Sequence, residues 1–376
     1  MTKESKRHSA DFGDGIEDRL EPLESLDVKK AEDFDQLFRQ MTKTAFTGRN
    51  LGEAAEVLAE MVSDPDCRVV GTFSGAMTVA KMGLLVCDMI DWGWLDMIIT
   101  TGALMAHGFV EAAGMTHFKH DRRFDDAALY RRGYNRIYDT LELEKNLDRA
   151  ERIISGILNK MDTTVHLSSE IFCHELGKWL AENTDKPGIL QNAYRKGVPI
   201  YIPAFTDSEL ALDVGTWMVR RALAGDPDLE ISQALDQVDV VFNPFVDLSS
   251  YTRRVMKAER LGIFTIGGGV PRNWAQQVSP YLEILEERCG RTVPLRKFRY
   301  GVRICPEPAY WGGLSGCTYS EGVSWGKFVA PEEGGRFAEV LCDATVAWPF
   351  LIKAVRQRLD KKSEDRVQKH DRKAHS

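Results

Sequence analysis

Apolar residues recur at two different periods along this chain, and the change from one to the other sets out its elements. Phe34, Leu37, Phe38 and Met41 repeat at helical spacing, and Leu51, Ala54, Ala55, Leu58, Met61 and Val62 line one face of a second helix that Asp64-Pro65-Asp66 stops. The period then shortens. Val69-Val70-Gly71-Thr72-Phe73 is an apolar run of strand length, and the small residues Ser74-Gly75-Ala76-Met77-Thr78 after it read as a turn leading into a helix. Leu95 to Ile99, followed by Thr100-Thr101-Gly102-Ala103, repeats the unit. Two strand–turn–helix units in succession predict the α/β class: a doubly wound, mostly parallel sheet with helices on both faces. Further strands are predicted at 199–203, 238–242, 262–266, 298–305 and 337–341. Residues 140–197 read as largely helical, with Ile153, Ile154, Ile157, Leu158 and Met161 as a buried stripe. No period of 20 to 50 residues recurs, so the chain is not a solenoid.

Polarity marks the ends. Residues 1–30 are charged and poor in large apolar groups, and they read as a mobile arm. Residues 358–376 are almost wholly polar and read as a disordered tail. The 31–357 span between them is expected to form a single domain.

Composition narrows the class. The chain has 376 residues, 43% of them hydrophobic and 28% charged, enough to bury a sizeable core. A net charge of -7 argues against nucleic acid as the main partner. The most apolar stretch, 84–101, contains Asp88, Asp91 and Asp96 and does not read as a membrane span. Met1 to Arg7 lacks the apolar run of a signal peptide. The 7 cysteines are scattered with no CxxC pair, which predicts a reduced, cytoplasmic protein.

The most informative stretch is Glu321-Gly322-Val323-Ser324-Trp325-Gly326-Lys327. A lysine is a poor nucleophile while protonated, and an apolar wall such as the Trp325 indole favours the free amine, which can form an imine with a carbonyl carbon. Glu321 could hold a cationic substrate or move a proton. From spacing alone, the preferred reading of Lys327 is a surface lysine at a strand end with Trp325 in the core. The strand exits form a second group. Small-residue turns that feed helix N-termini are phosphate sites, and Gly267-Gly268-Gly269-Val270-Pro271 is the best such cradle, although no GxGxxG is present. Asp207, after the strand at 199–203, reads as a helix N-cap or as a ribose ligand. His117-x-x-His120 invites a metal, but no cysteine or further histidine nearby completes a ligand set; loop and helix-end histidines are the preferred reading, and no metal is expected.

Taken together these segments resemble the deoxyhypusine synthase family. The likeness runs from about Asp33 to about Ala354, with the motifs in order: Thr-Thr-Gly-Ala, the Gly-x-Asn-Arg-Ile match in Gly133-Tyr134-Asn135-Arg136-Ile137, Pro-Ala-x-Thr-Asp ending at Asp207, Gly-Gly-Gly-Val, Glu-x-Val-Ser-Trp-Gly-Lys and Asp343-Ala344. The resemblance implies an NAD-binding fold, usually a homotetramer with active sites between subunits. It implies cofactor contacts from Ser74, Gly75, Ala76, Met77, Thr78, Thr101, Gly102, Ala103, Asp207, Gly268, Asp343 and Ala344. It implies substrate contacts from His107, Asn273, Glu321 and Trp325, with Lys327 as the catalytic residue carrying the imine. The family reaction passes an aminobutyl group from spermidine through that lysine to an acceptor amine.

The polyamine site departs from the pattern. Where family members carry acidic residues or a histidine, this chain has Ala106, His107-Gly108, Asn273, Leu314 and, near the exit of the third predicted strand, Leu212 beside Asp213. A buried ammonium without carboxylate partners is costly. The expectation is therefore an NAD-dependent transferase with a rebuilt amine site. It would act on small-molecule amines and make homospermidine or a related polyamine. The alternatives are a true deoxyhypusine synthase acting on a translation-factor lysine, and a non-catalytic NAD-binding or sensing protein.

Overall fold

In chain order the strands are β1 (Cys67–Phe73), β2 (Met97–Thr100), β3 (Phe118–Lys119), β4 (Tyr134–Ile137), β5 (Thr140–Leu143), β6 (Ile200–Tyr201), β7 (Arg260–Ile266), β8 (Phe298–Ile304) and β9 (Arg336–Val340). The helices are α1 (Phe34–Met41), α2 (Phe46–Ser63), α3 (Gly83–Asp91), α4 (Gly102–Ala112), α5 (Asp126–Arg131), α6 (Glu144–Leu158), α7 (Ser169–Asn183), α8 (Ile189–Lys196), α9 (Glu209–Gly225), α10 (Ile231–Leu235), α11 (Pro244–Met256), α12 (Gly269–Gln276), α13 (Val278–Cys289), α14 (Tyr319–Ser324) and α15 (Ala344–Ala374). The structure, a computed structural model, describes residues 7–9, 12–162, 164, 166–237 and 240–374, with side chains as far as residue 365.

Six strands form one parallel sheet in the order β6-β2-β1-β7-β8-β9. The chain builds outward from β1 to β6, then returns to β7 and builds the other way. The switch point therefore lies between β1 and β7, where open α/β sheets place their ligands. All six strands point one way, so their exits share one edge.

Alternation along the strands makes two cores. Cys67, Val69, Phe73, Phe264 and Ile266 face α2 and α15, whereas Val70, Met97, Ile99, Leu261 and Ile263 face Tyr251, Val255, Ala275, Val278 and Leu282. Apolar residues buried on both sides explain why these strands read as continuous apolar runs. Trp348 is fully buried in the first core, stacked on Phe73 at 5.7 Å.

Three expectations need correction. The strand expected at 238–242 is absent from the sheet: 238 and 239 lie outside the described residues, and Phe242 makes only a bridge to Leu167. Apolar residues can pack as well from a loop, and Phe242 does so by stacking on Phe205. The tail expected to be disordered from 358 instead continues α15 to Ala374. Arg358 is buried and donates to Asp35 at 2.6 Å, and Lys361 bonds Asp33 at 2.5 Å, so two of the polar residues that suggested disorder are ion-paired at the start of α1. Nor is the N-terminal arm unattached up to residue 30. Glu24 N–H donates to Lys43, and Asp27 N–H to Gln40. Residues 1–6, 10 and 11 of that arm lie outside the described residues. The sequence reading also passed over a second, three-stranded antiparallel sheet, β3-β5-β4, whose strands are too short for a periodic signal.

Candidate active site

The exits of β1, β2 and β6 are knitted together at the strand-end edge. Thr101 caps α4, its hydroxyl accepting from Leu104 N–H at 3.3 Å and donating to the Gly75 carbonyl at 2.9 Å. A Cβ on Gly102 would lie 2.3 Å from the Ser208 side chain, so this close approach of α4 to the β6 exit admits only glycine. Between these turns opens a cleft of about 500 Å³, lined by Gly75, Ala76, Thr101, Ala103, Asp207 and Glu209 among others. Five of the expected cofactor residues therefore share one surface. The first N–H groups of a helix have no partner within it, so α4 brings donors toward the cleft, while the exposed Asp207 carboxylate can accept from a ribose diol. The residues present fit a dinucleotide.

The rest of the expected cofactor set divides. Ser74 bonds both the carbonyl and the N–H of Gly268, which closes the switch point between β1 and β7. Gly268 packs so tightly on the loop at Ser315 that a Cβ would stand 2.6 Å from the Ser315 Cα. The triple-glycine turn thus serves loop packing as well as any cradle. Met77 is half-buried beyond that turn. Thr78 is buried and donates to the Leu104 carbonyl at 2.9 Å, so it supports α4 from beneath. Gly102 works through backbone approach. Asp343 accepts from Thr345 N–H at 2.7 Å at the exit of β9, and Ala344 is buried beside it.

Lys327 lies elsewhere. Its carbonyl accepts from the N–H of Phe298, the first residue of β8, at the edge opposite the cleft. The lysine is only 6% exposed, and Nζ donates to Asn273 Oδ1 at 3.2 Å. Burial holds its pKa below the ordinary lysine range and the Arg272 guanidinium adds to the fall, while Cys317 and Glu321 oppose it. No carboxylate contacts Nζ among the described residues, so the free amine is favoured. Gly326 turns the chain with φ 69°, directing the lysine inward after α14. Trp325 is 63% exposed, with its ring centroid 5.8 Å from Nζ; it is no part of the core, and it forms an outer wall to the amine. Glu321 is exposed on α14. None of Lys327, Asn273, Glu321 and Trp325 lines the cleft.

His107 is buried in α4, and its Nδ1 faces Glu142 at 3.3 Å. The sequence reading missed Glu142, Glu209 and Arg272. Glu209 lines the cleft with one carboxylate oxygen buried and without a hydrogen-bond partner. Arg272 is buried over the Tyr319 ring and donates from Nη1 to the Cys317 carbonyl at 2.6 Å. Glu209 was within reach, two residues after Asp207 in the same turn. Nothing local in the sequence marks Arg272.

Comparison with known proteins follows this geometry. The family model described as deoxyhypusine synthase matches residues 36–355. A protein of Methanosarcina acetivorans named "Probable deoxyhypusine synthase 2" is 32% identical over 338 residues, covering 90% of each chain. A "Deoxyhypusine synthase-like protein" of Chlorobaculum tepidum is 33% identical over 333 residues, covering 88% of each. Among solved structures, a "putative deoxyhypusine synthase" from Entamoeba histolytica superposes with a TM-score of 0.54 at 12% identity, covering 88% of this chain and 96% of that one, which supports the fold.

Proposed function

Since the chain belongs to the deoxyhypusine synthase family, we propose that it is an NAD-dependent transferase that moves an aminobutyl group from a polyamine to a small amine through an imine on Lys327. The observation that carries this reading is the buried lysine amine, held by the neutral Asn273 near a second cation, with no carboxylate against it among the described residues.

NAD in the cleft supplies a hydride acceptor for the donor amine and returns that hydride at the end. Asp207 would hold its ribose, and α4 would face its phosphates with backbone N–H groups. The neutral Lys327 amine adds to the carbon of the oxidised donor imine. The bond from that carbon to the leaving amine breaks, and the leaving amine takes up a proton as the lysine loses one. Lys327 is left carrying the four-carbon chain as an imine. Asn273 orients Nζ through its carbonyl, a neutral partner that does not fix a proton on the amine. Attack by the acceptor amine reverses the exchange, freeing Lys327 and leaving a new imine to be reduced.

Two features favour a small amine in a rebuilt site. Leu212 is exposed on the cleft where the family pattern has an acidic residue, and Glu209 supplies a carboxylate in the same cleft. Both alter how a cationic chain would be held. Because neither Lys327 nor Asn273 lines the cleft, the reading includes a homo-oligomer, expected to be a tetramer, in which the cleft of one subunit meets the lysine of another.

The test is intact mass after borohydride reduction. Protein is incubated with NAD and, separately, putrescine, spermidine, agmatine or cadaverine, beside Lys327→Ala. The expected result is a covalent adduct with one amine that is missing from the variant. Failure of every amine to give an adduct, with NAD binding demonstrated, would overturn the covalent mechanism. Supplying a protein lysine or a free amine as acceptor then separates the two transfer reactions.

A further inference from the structure

We propose that His107, His117 and Glu142 form a binding site for a divalent metal ion of the zinc class, which staples the three-stranded sheet to α4. His107 lies on α4, His117 immediately before β3, and Glu142 on β5. All three are buried, Glu142 completely. His117 Nε2 is 2.6 Å from Glu142 Oε2, His107 Nδ1 is 3.3 Å from the same oxygen, and the two ring nitrogens are 3.4 Å apart. An ion about 2.0–2.2 Å from each donor fits over this triangle, about 1 Å out of its plane, which is the three-ligand, one-open-position arrangement of zinc.

Three further features favour a metal over a plain hydrogen-bonded cluster. Both imidazoles aim at one oxygen of Glu142, and two N–H groups so placed would crowd each other. The other oxygen, Oε1, is occupied by Leu143 N–H at 2.9 Å and Asn146 Nδ2 at 2.8 Å, the support that a ligating carboxylate receives. A completely buried carboxylate also needs a positive charge; no lysine or arginine touches Glu142 among the described residues, so that charge is an imidazolium or a metal, and only a metal serves both imidazoles and the carboxylate at once. Lys81 approaches only the far side of the cluster, 3.2 Å from His117 Nδ1 and 3.1 Å from Glu111. With a metal on Nε2, Nδ1 carries the proton and no longer accepts from Lys81. The half-exposed Lys81 then swings to solvent and leaves Glu111 as a carboxylate on that side. Lys81 and the metal therefore compete.

The purified full-length protein, stripped with chelator and dialysed, is titrated with zinc against a chromophoric chelator. Its cobalt-loaded form is examined for visible d–d absorption. The expected result is about one equivalent bound, with the intense bands of a four-coordinate cobalt site. His117→Gln and Glu142→Gln should weaken zinc binding by at least about 100-fold, and Asn146→Ala by about 10-fold. Lys81→Met should tighten it, which a hydrogen-bonded cluster does not predict. Far-UV circular dichroism checks that each variant folds; should none fold, the cobalt spectrum of the unaltered protein decides. No stoichiometric binding, a cobalt spectrum like that of the aqueous ion, or unchanged binding in a folded His117→Gln would overturn the site.

Discussion

Asp213 sits on α9 one turn beyond Glu209, and burial pushes its carboxyl up to about 7, with Glu151 and Glu209 adding to the rise and Arg220 opposing it. An unfolded aspartate ionises near 4, so between about pH 4 and pH 7 the folded chain binds more protons at this site than the unfolded one. Stability must fall as pH rises through that window and stay lowered above it. Asp213→Asn should therefore raise Tm at pH 8 and leave it unchanged near pH 4. The side chain keeps some access to solvent, so the gain at pH 8 is screened to about 1–2 kcal/mol. Thermal melts of both proteins at the two pH values check this; an equal shift at both would rule out titration as the cause. At this scale the lysine segment was legible because Trp325, Gly326 and Lys327 are contiguous. Burial does most to lower the lysine's pKa; Asn273, which accepts from the amine, and Arg272, whose charge adds to the fall, come from another helix more than fifty positions earlier, and only Asn273 carried any signal.

At the scale of elements, the approach of α4 to the β6 exit is the most sensitive contact in the cleft. Gly102→Ala would place a methyl 2.3 Å from Ser208, whose hydroxyl donates to the Phe205 carbonyl at 2.8 Å. The expected cost is about 1–3 kcal/mol, with weaker NAD binding because Thr101 and Asp207 move apart. Ser208→Gly should restore part of both in the double variant, measured by denaturant melts and NAD titration. Additive losses would mean that the two residues do not meet. The strand–turn–helix units were legible from apolar runs that end in small residues, since strands buried on both faces carry a continuous signal. The strands of the small sheet have two to four residues each, too few to show a period, and the run at 238–242 has much of the composition of a strand, yet its described part bridges only to Leu167.

For the whole molecule, the decisive fact is that neither Lys327 nor its partner Asn273 lines the cleft. A site assembled between subunits predicts complementation. Asp207→Ala and Lys327→Ala, each inactive alone, should regain part of the transfer activity when coexpressed and copurified as mixed oligomers, since one kind of interface then pairs an intact cleft with an intact lysine. Mixed oligomers without activity would place both groups in one subunit's site and overturn the shared arrangement. The same view explains α15. Its polar end read as a tail because the Asp33 and Asp35 partners of Arg358 and Lys361 lie more than three hundred positions away.

Local pattern and contiguous motif were enough to determine the α/β class, the parallel strands with their small-residue exits and the family likeness, and to single out the lysine segment. Each is carried by neighbours in the chain, and the physics of strand burial, helix starts and amine reactivity acts on neighbours. Folding alone decided which exits share a cleft, that Lys327 stands outside it, that Asn273 meets its amine, and that His107, His117 and Glu142 converge. Distance and burial set hydrogen bonds, desolvation and charge pairing, and those quantities exist only once segments remote in sequence are packed against one another.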